Sequence, residues 1–170
     1  SPPRGSAGAR LGVVGALSFI QNATLTVFLS TKAKGSHSVQ LVILYVSTAA
    51  VFLILDAIML TRVMKPLFET HLGDLLAEPI RIGPAAVFYL FYVGGLLYFV
   101  SLPAMRDAAP MAALIGGAIL GAMAYGTYEF TNYATLRDWH WHMVAVDLTW
   151  GAVLTGVSAW AGVMITRALT

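Results

Sequence analysis

Long runs without a charged residue dominate this sequence and limit what it can fold into. Four runs of 19 to 24 residues contain no Asp, Glu, Lys or Arg, at residues 35–55, 82–105, 108–128 and 148–166. A transmembrane helix needs about 20 mostly apolar residues. When the runs are extended beyond the acidic residues that bound them, they predict membrane helices at 38–64, 83–104, 110–136 and 142–167. The expected fold class is all-α, a polytopic transmembrane helical bundle with four core helices.

The composition favours the same class and excludes others. Hydrophobic residues make up 58% of the 170 residues and charged residues 11%, and the mean hydropathy is +0.77. A soluble domain carries about 25% charged residues, so a soluble globular enzyme is excluded, and the hydrophobicity excludes a disordered chain. The absence of cysteine excludes disulfides and thiolate metal sites. Because the basic residues are scattered, no nucleic-acid partner is expected.

A fifth charge-free run, residues 11–31, predicts an extra N-terminal membrane helix. It is interrupted by Gln21 and Asn22, but four polar residues recur at intervals of four and share one helix face. They are Ser18, Asn22, Thr26 and Ser30. The stripe would turn toward protein if the helix spans the membrane; the alternative is a helix lying in the membrane interface. The expected organisation is an N-terminal extension at 1–37 and a four-helix core at 38–170.

The segment 65–83 between the first two core helices predicts an amphipathic surface loop. Pro66 suits the first position of a helix. The apolar residues that follow would form one face of that helix: Leu67, Phe68, Leu72, Leu75 and Leu76. We expect a short helix on the membrane surface that ends before Pro79.

Three carboxyl groups, of Asp56, Glu129 and Asp147, fall inside or at the edge of predicted spans. An acid near the bilayer centre costs about 2.5–3.5 kcal/mol on insertion scales, and such residues are functional-site hypotheses by default. The alternation of helix direction puts all three near the same membrane face. With neighbours on the same helix faces, they form a predicted intramembrane polar cluster of Asp56, Tyr125, Tyr128, Glu129, Asn132, Asp147 and Trp150. In the structural alternative, the acids pair with Arg62, Arg81 or Arg137 and lock the bundle.

Small residues predict where helices pack closely. Ala113, Gly117, Gly121 and Ala124 share one face of the third core helix, and Gly151, Thr155 and Ala159 share one face of the fourth. Small faces let two helix backbones approach. These faces need no function beyond a compact bundle.

The run Trp139-His140-Trp141-His142 is the one other conspicuous pattern. Two histidines at i and i+2 do not share a helix face, and only His71 is a plausible third metal ligand. We therefore expect no metal, and an aromatic turn at the membrane interface. The sequence has no nucleophile elbow, phosphate loop or dinucleotide fingerprint. Catalytic residues and cofactors are not expected.

Six segments carry a family resemblance: FLILDAIML at 52–60, LGDLL at 72–76, FYLFYVGGL at 88–96, YGTYEFTN at 125–132, ATL at 134–136 and VDLTWG at 146–151. Over about residues 40–168 the chain resembles the DUF2177 family of predicted membrane proteins. The resemblance implies a bundle of four helices and singles out Asp56, Glu129, Asn132, Asp147 and Trp150. The family usually has Asp where this chain has Glu129. It implies no established activity.

Three functions are compatible with these features. The favoured one is a non-catalytic accessory subunit of a multi-subunit membrane complex, with other membrane subunits and the lipid bilayer as partners. The opening SPPRGSAGAR has two arginines, two serines and no acid, as organellar presequences do. A respiratory-chain complex of the mitochondrial inner membrane is therefore expected, with a bacterial inner membrane as the alternative. The other two functions are an intramembrane lipid-modifying enzyme and a small proton or solute carrier using Asp56, Glu129 and Asp147.

Overall fold

The computed structural model describes residues 36–72 and 81–170. This part of the chain contains four long helices and no strand: α1 Ser36–His71, α2 Ile82–Arg106, α3 Pro110–Thr135 and α4 Trp141–Leu169. All four are long and apolar enough to cross a membrane. The shortest, α2, has 25 residues and is about 37 Å long, which exceeds the ~30 Å hydrocarbon core. The prediction of an all-α transmembrane bundle with four core helices is confirmed.

Apolar side chains cover the outside of the bundle, and polar ones lie within it. Phe91 is 79% exposed and Ile82 75%, whereas Glu129 and Thr155 are completely buried. A protein surrounded by lipid has this distribution, because apolar side chains lose nothing by facing acyl chains while polar groups need protein partners. The chain is therefore an integral membrane protein that contacts the lipid bilayer.

The predicted small-residue faces of α3 and α4 pack directly against each other. A Cβ atom at Gly117 would lie 2.9 Å from the Cα of Gly156, and one at Gly121 would lie 2.1 Å from the carbonyl oxygen of Gly151. Helix backbones in such contact leave no room for a side chain. The packing prediction is confirmed for α3 and α4.

Pro66 does not begin a new helix, because α1 continues through it to His71. A proline ring in a regular helix clashes with the carbonyl group four residues earlier. Here a π-helical turn, Leu60–Met64, precedes the proline, and the N–H of Lys65 bonds to the carbonyl oxygen of Leu60. The widened turn gives the proline room. Helix α2 repeats the arrangement, with a π turn at Leu97–Ser101 before Pro103.

The end of α1, residues 65–71, packs across the loop between α3 and α4. Leu67 and Phe68 contact the buried group of Trp139, Met143 and Val144. The aromatic rings of Phe68 and Trp139 lie 5.7 Å apart. This part of the predicted amphipathic segment thus covers one end of the bundle with its apolar face.

Several predictions lie outside the described residues. They are the N-terminal membrane helix at 11–31, the presequence-like start and the remainder of the surface loop at 73–80. The division at residue 37 stays a prediction. Residues 42–170 form one compact unit, and every contact described below lies within it.

Candidate functional site

Three helices carry polar groups at one level of the bundle. Glu129 lies six residues before the end of α3, and Asp147 lies six residues after the start of α4. Tyr89 lies seven residues after the start of α2. At 1.5 Å per residue, all three are about 9–10 Å from a helix end. Since the helices alternate in direction, these ends belong to the same face of the bundle.

Asp56 of α1 is tied to α2 through Tyr89. Its carboxyl group is buried, with 4% exposed, and its Oδ2 accepts a hydrogen bond from the Tyr89 hydroxyl. The indole of Trp150 approaches the same carboxyl group from α4. The buried Nε1 of Trp150 nevertheless makes no hydrogen bond of normal geometry within the described residues. One indole donor is therefore left without a strong acceptor beside Asp56.

Glu129 is held from the loop between α3 and α4. The Nε1–H of Trp139 donates to its Oε2 over 2.8 Å, and both side chains are buried. The second oxygen, Oε1, makes no normal hydrogen bond among the described residues. Asp147, 8% exposed, lies close enough to Glu129 for the two carboxyl groups to interact directly. Oε2 of Glu129 therefore has a hydrogen-bond donor, whereas Oε1 lacks one among the described residues.

Asp56, Glu129 and Asp147 together form what we call the carboxyl cluster, since Asp147 also interacts with Asp56. No basic residue in the described part of the chain forms an ion pair with this cluster. Within residues 36–72 and 81–170 the one ion pair joins Lys65 and Glu69, two exposed side chains 3.6 Å apart. The structural alternative of a cluster locked by Arg62, Arg81 or Arg137 is therefore not observed in the described part of the chain.

Tyrosines line the cluster on the bundle side. Tyr125 lies within electrostatic reach of Asp56 and Asp147. Its ring rests on the backbone of Gly151, where a Cβ atom would lie 2.1 Å from the Tyr125 Cγ. Tyr92 shares a 2.9 Å hydrogen bond with Thr155. Tyr89 and Tyr125 thus lie beside the acids with their rings and hydroxyl groups.

Tyr128 and Asn132 lie at the rim. Tyr128 is 51% exposed, interacts with the side chain of Asn132 and meets the ring of Trp139 edge-on at 5.6 Å. Asn132 is half-buried. Five residues of the predicted cluster therefore surround one interior region: Asp56, Tyr125, Glu129, Asp147 and Trp150. The other two, Tyr128 and Asn132, border it.

Sequence reasoning missed two residues that bond directly to the acids, Tyr89 and Trp139. Tyr89 and Tyr92 recur at i and i+3 in a helix that is apolar on all sides, so one face of α2 could have been selected by its buried hydroxyl groups. Trp139 was interpreted as part of an interfacial turn. Trp141, 60% exposed, fits that interpretation, whereas Trp139 is 94% buried, with 6% exposed.

The histidines take structural positions. The Nδ1 of His140 accepts from the N–H of His142 and caps the start of α4. The rings of His71 and His140 lie 5.3 Å apart. No group of three metal-ligating side chains occurs among the described residues.

This arrangement has definite chemical consequences. Two interacting carboxyl groups without a cation cannot both stay charged in a low-dielectric interior, so they share a proton or take up a cationic group. The same pair contains one potential acid and one potential base. Rings of tyrosine and tryptophan beside an acid are also the surroundings that favour an ammonium group.

Comparison with known protein families gives one result. The profile of a family described as a predicted membrane protein, DUF2177, matches residues 41–164. This confirms the resemblance noted in the sequence. Comparisons with curated proteins and with solved structures find no match.

Proposed function

The chain belongs to the DUF2177 family of predicted membrane proteins, and we propose that it uses the carboxyl cluster to bind the cationic group of a lipid-soluble amine in exchange for a proton. The observation that carries this proposal is the proximity of Glu129 and Asp147; among the described residues, Oε1 of Glu129 has no hydrogen bond of normal geometry and neither acid forms an ion pair. An ammonium group has the donors and the charge that this pair lacks.

The surroundings of Asp56 support the same ligand chemistry. The rings of Phe52, Tyr89 and Tyr92 form a contiguous set, with Phe52 centred 5.7 Å from Tyr89 and 5.5 Å from Tyr92. Aromatic faces attract cations by about 0.5–2 kcal/mol. Tyr89 of this set bonds to Asp56 through its hydroxyl group, so the acid lies next to an aromatic surface that favours a cation.

Binding of radiolabelled dodecylammonium to the full chain in phosphatidylcholine nanodiscs tests the proposal. We expect saturable binding, with proton release in weak buffer. Glu129→Gln and Asp147→Asn should each lower the affinity at least tenfold, because a charge-assisted contact contributes about 1.5–3 kcal/mol. Asp107→Asn is the matched control, since Asp107 is an exposed acid in the loop between α2 and α3. Equal affinities for all four proteins, or no saturable binding, would refute the proposal.

The same pair of acids favours a second function, acid–base catalysis on a lipid. Glu129 and Asp147 would alternate as general acid and general base, and Tyr128 and Asn132 at the rim would orient the substrate. Lipid analysis of cells that carry Asp147→Asn tests this function. A missing lipid product in the variant would support it, and an unchanged lipid profile would count against it.

The accessory-subunit role in a mitochondrial respiratory complex stays a prediction. Its support is the composition of residues 1–10, with two arginines, two serines and no acid. The native mass after extraction in mild detergent tests it. Co-migration with respiratory subunits would favour it, and a particle of one or two copies would contradict it.

A further inference from the structure

An open groove lies between α1 and α2 in the lipid-facing surface. It encloses about 420 Å³, within the ~300–1,000 Å³ range of small-molecule sites. Its lining is almost wholly apolar and includes Tyr45, Leu53, Ala86, Tyr89 and Val93. Small side chains make the space, because Ala49, Ala85 and Ala86 stand where larger residues would fill it.

The groove and the carboxyl cluster share one wall. Tyr89 lines the groove with its ring, and its hydroxyl group donates to Asp56. Leu53, three residues before Asp56 on α1, lines the groove as well. A molecule in the groove therefore lies one side chain away from the acids.

The shape of the groove fits one kind of occupant. Its α2 side runs from Ile82 to Val93, about 16 Å at 1.5 Å per residue. Both helices are membrane-spanning, so the molecules that reach the groove are those dissolved in the bilayer. The Tyr45 hydroxyl group on α1 donates a hydrogen bond to the carbonyl oxygen of Leu90 on α2 over 3.1 Å, which links the two helices. A single extended alkyl chain matches an apolar groove of this length.

We infer that the ligand of the carboxyl cluster is a single-chain amphiphile, whose alkyl chain lies in the α1–α2 groove and whose ammonium group reaches the acids past Tyr89. This inference rests on the proposed amine binding and adds the substrate class and its route of entry. The acids supply charge complementarity for the head group, and the groove supplies the apolar surface for the chain.

Photolabelling tests the inference with the full chain in phosphatidylcholine nanodiscs. One probe is a dodecylamine with a diazirine in its alkyl chain, and the other is the uncharged methyl-capped alkane of the same length. We expect the amine to label peptides of α1 and α2 that line the groove. Ala86→Phe, or Ala85→Phe as a second variant, should reduce labelling at least fivefold because the ring fills the groove. Ala50→Phe is the matched control, an exposed alanine on α1 that does not line the groove.

The outcomes separate the two proposals. If amine binding depends on Asp147 but labelling is the same in Ala86→Phe and Ala50→Phe, the groove is not the alkyl site and this inference is overturned. If Ala86→Phe reduces labelling by both probes equally and Asp147→Asn changes neither, the groove binds alkyl chains without recognising a cation, and the proposed amine binding fails together with this inference. A preference for the amine that both Ala86→Phe and Asp147→Asn abolish supports the inference. Thermal unfolding of each variant identifies any that fails to fold, and Ala85→Phe then replaces it.

Discussion

Replacing Gly121 with alanine should separate α3 from α4. The new Cβ atom would lie 2.1 Å from the carbonyl oxygen of Gly151 and 2.7 Å from the Oγ1 of Thr155. Ordinary contact begins at 3.4 Å, so the two helices must move apart by about 1.3 Å. The obstructing atom is backbone and cannot rotate away. Overpacking of this kind costs about 1–3 kcal/mol, and we expect the upper end because a whole helix pair must shift.

Gly95→Ala is the matched control, because a Cβ atom there meets nothing within 4 Å. In a helix interior, alanine is favoured over glycine by up to about 1 kcal/mol, so this variant should be neutral or more stable. Thermal unfolding in one detergent, followed by tryptophan fluorescence, measures both. A loss of 3 kcal/mol corresponds to a fall of roughly 6–12 °C for a chain of this size. A melting temperature of Gly121→Ala within about 2 °C of the wild type would show that the close backbone contact is wrong.

Three further variants test single contacts by the same unfolding assay. Trp139→Phe keeps the ring but removes the donor to Glu129, so we expect a loss of about 1–3 kcal/mol; additivity with Glu129→Gln would contradict a direct bond. Tyr89→Phe keeps the edge-on and tilted ring contacts with Phe52 and Phe88 and leaves Asp56 without its donor. We again expect a loss of about 1–3 kcal/mol, and an unchanged stability would argue against the bond. Ala108 has a φ of 50°, a left-handed conformation that costs alanine about 1–2 kcal/mol. Ala108→Gly should therefore raise stability by about 0.5–1 kcal/mol after the entropy loss of glycine, and a lower melting temperature would contradict the strain.

The sequence predicted the parts of the fold that depend on helical periodicity and chain direction. Uncharged runs marked the four spans, and the alternation of helix direction placed Asp56, Glu129 and Asp147 at one level. The rotation of α2 was missed, because the spacing of Tyr89 and Tyr92 is the one indication of an inward face in a helix that is otherwise apolar on every side. The position of Trp139 was not predictable either, since a five-residue loop has no periodicity. Pro66 did not mark a helix start, although proline is over-represented at the first helical position, because the widened turn at Leu60–Met64 lets α1 continue through it.

That widened turn changes which side of α1 is presented to the rest of the protein. A π turn contains one residue more than an α turn, and one residue in a regular helix corresponds to a rotation of about 100°. Before the turn α1 directs Phe52 and Asp56 into the bundle; beyond it the helix places Leu67 and Phe68 over Trp139. The two parts of the continuous helix α1 therefore pack against different regions of the protein, because the π turn changes the rotation of the helix between them. If Leu60–Met64 closed to regular α pitch with all its residues kept, the covering segment would rotate by about 100° and leave the tryptophan that holds Glu129.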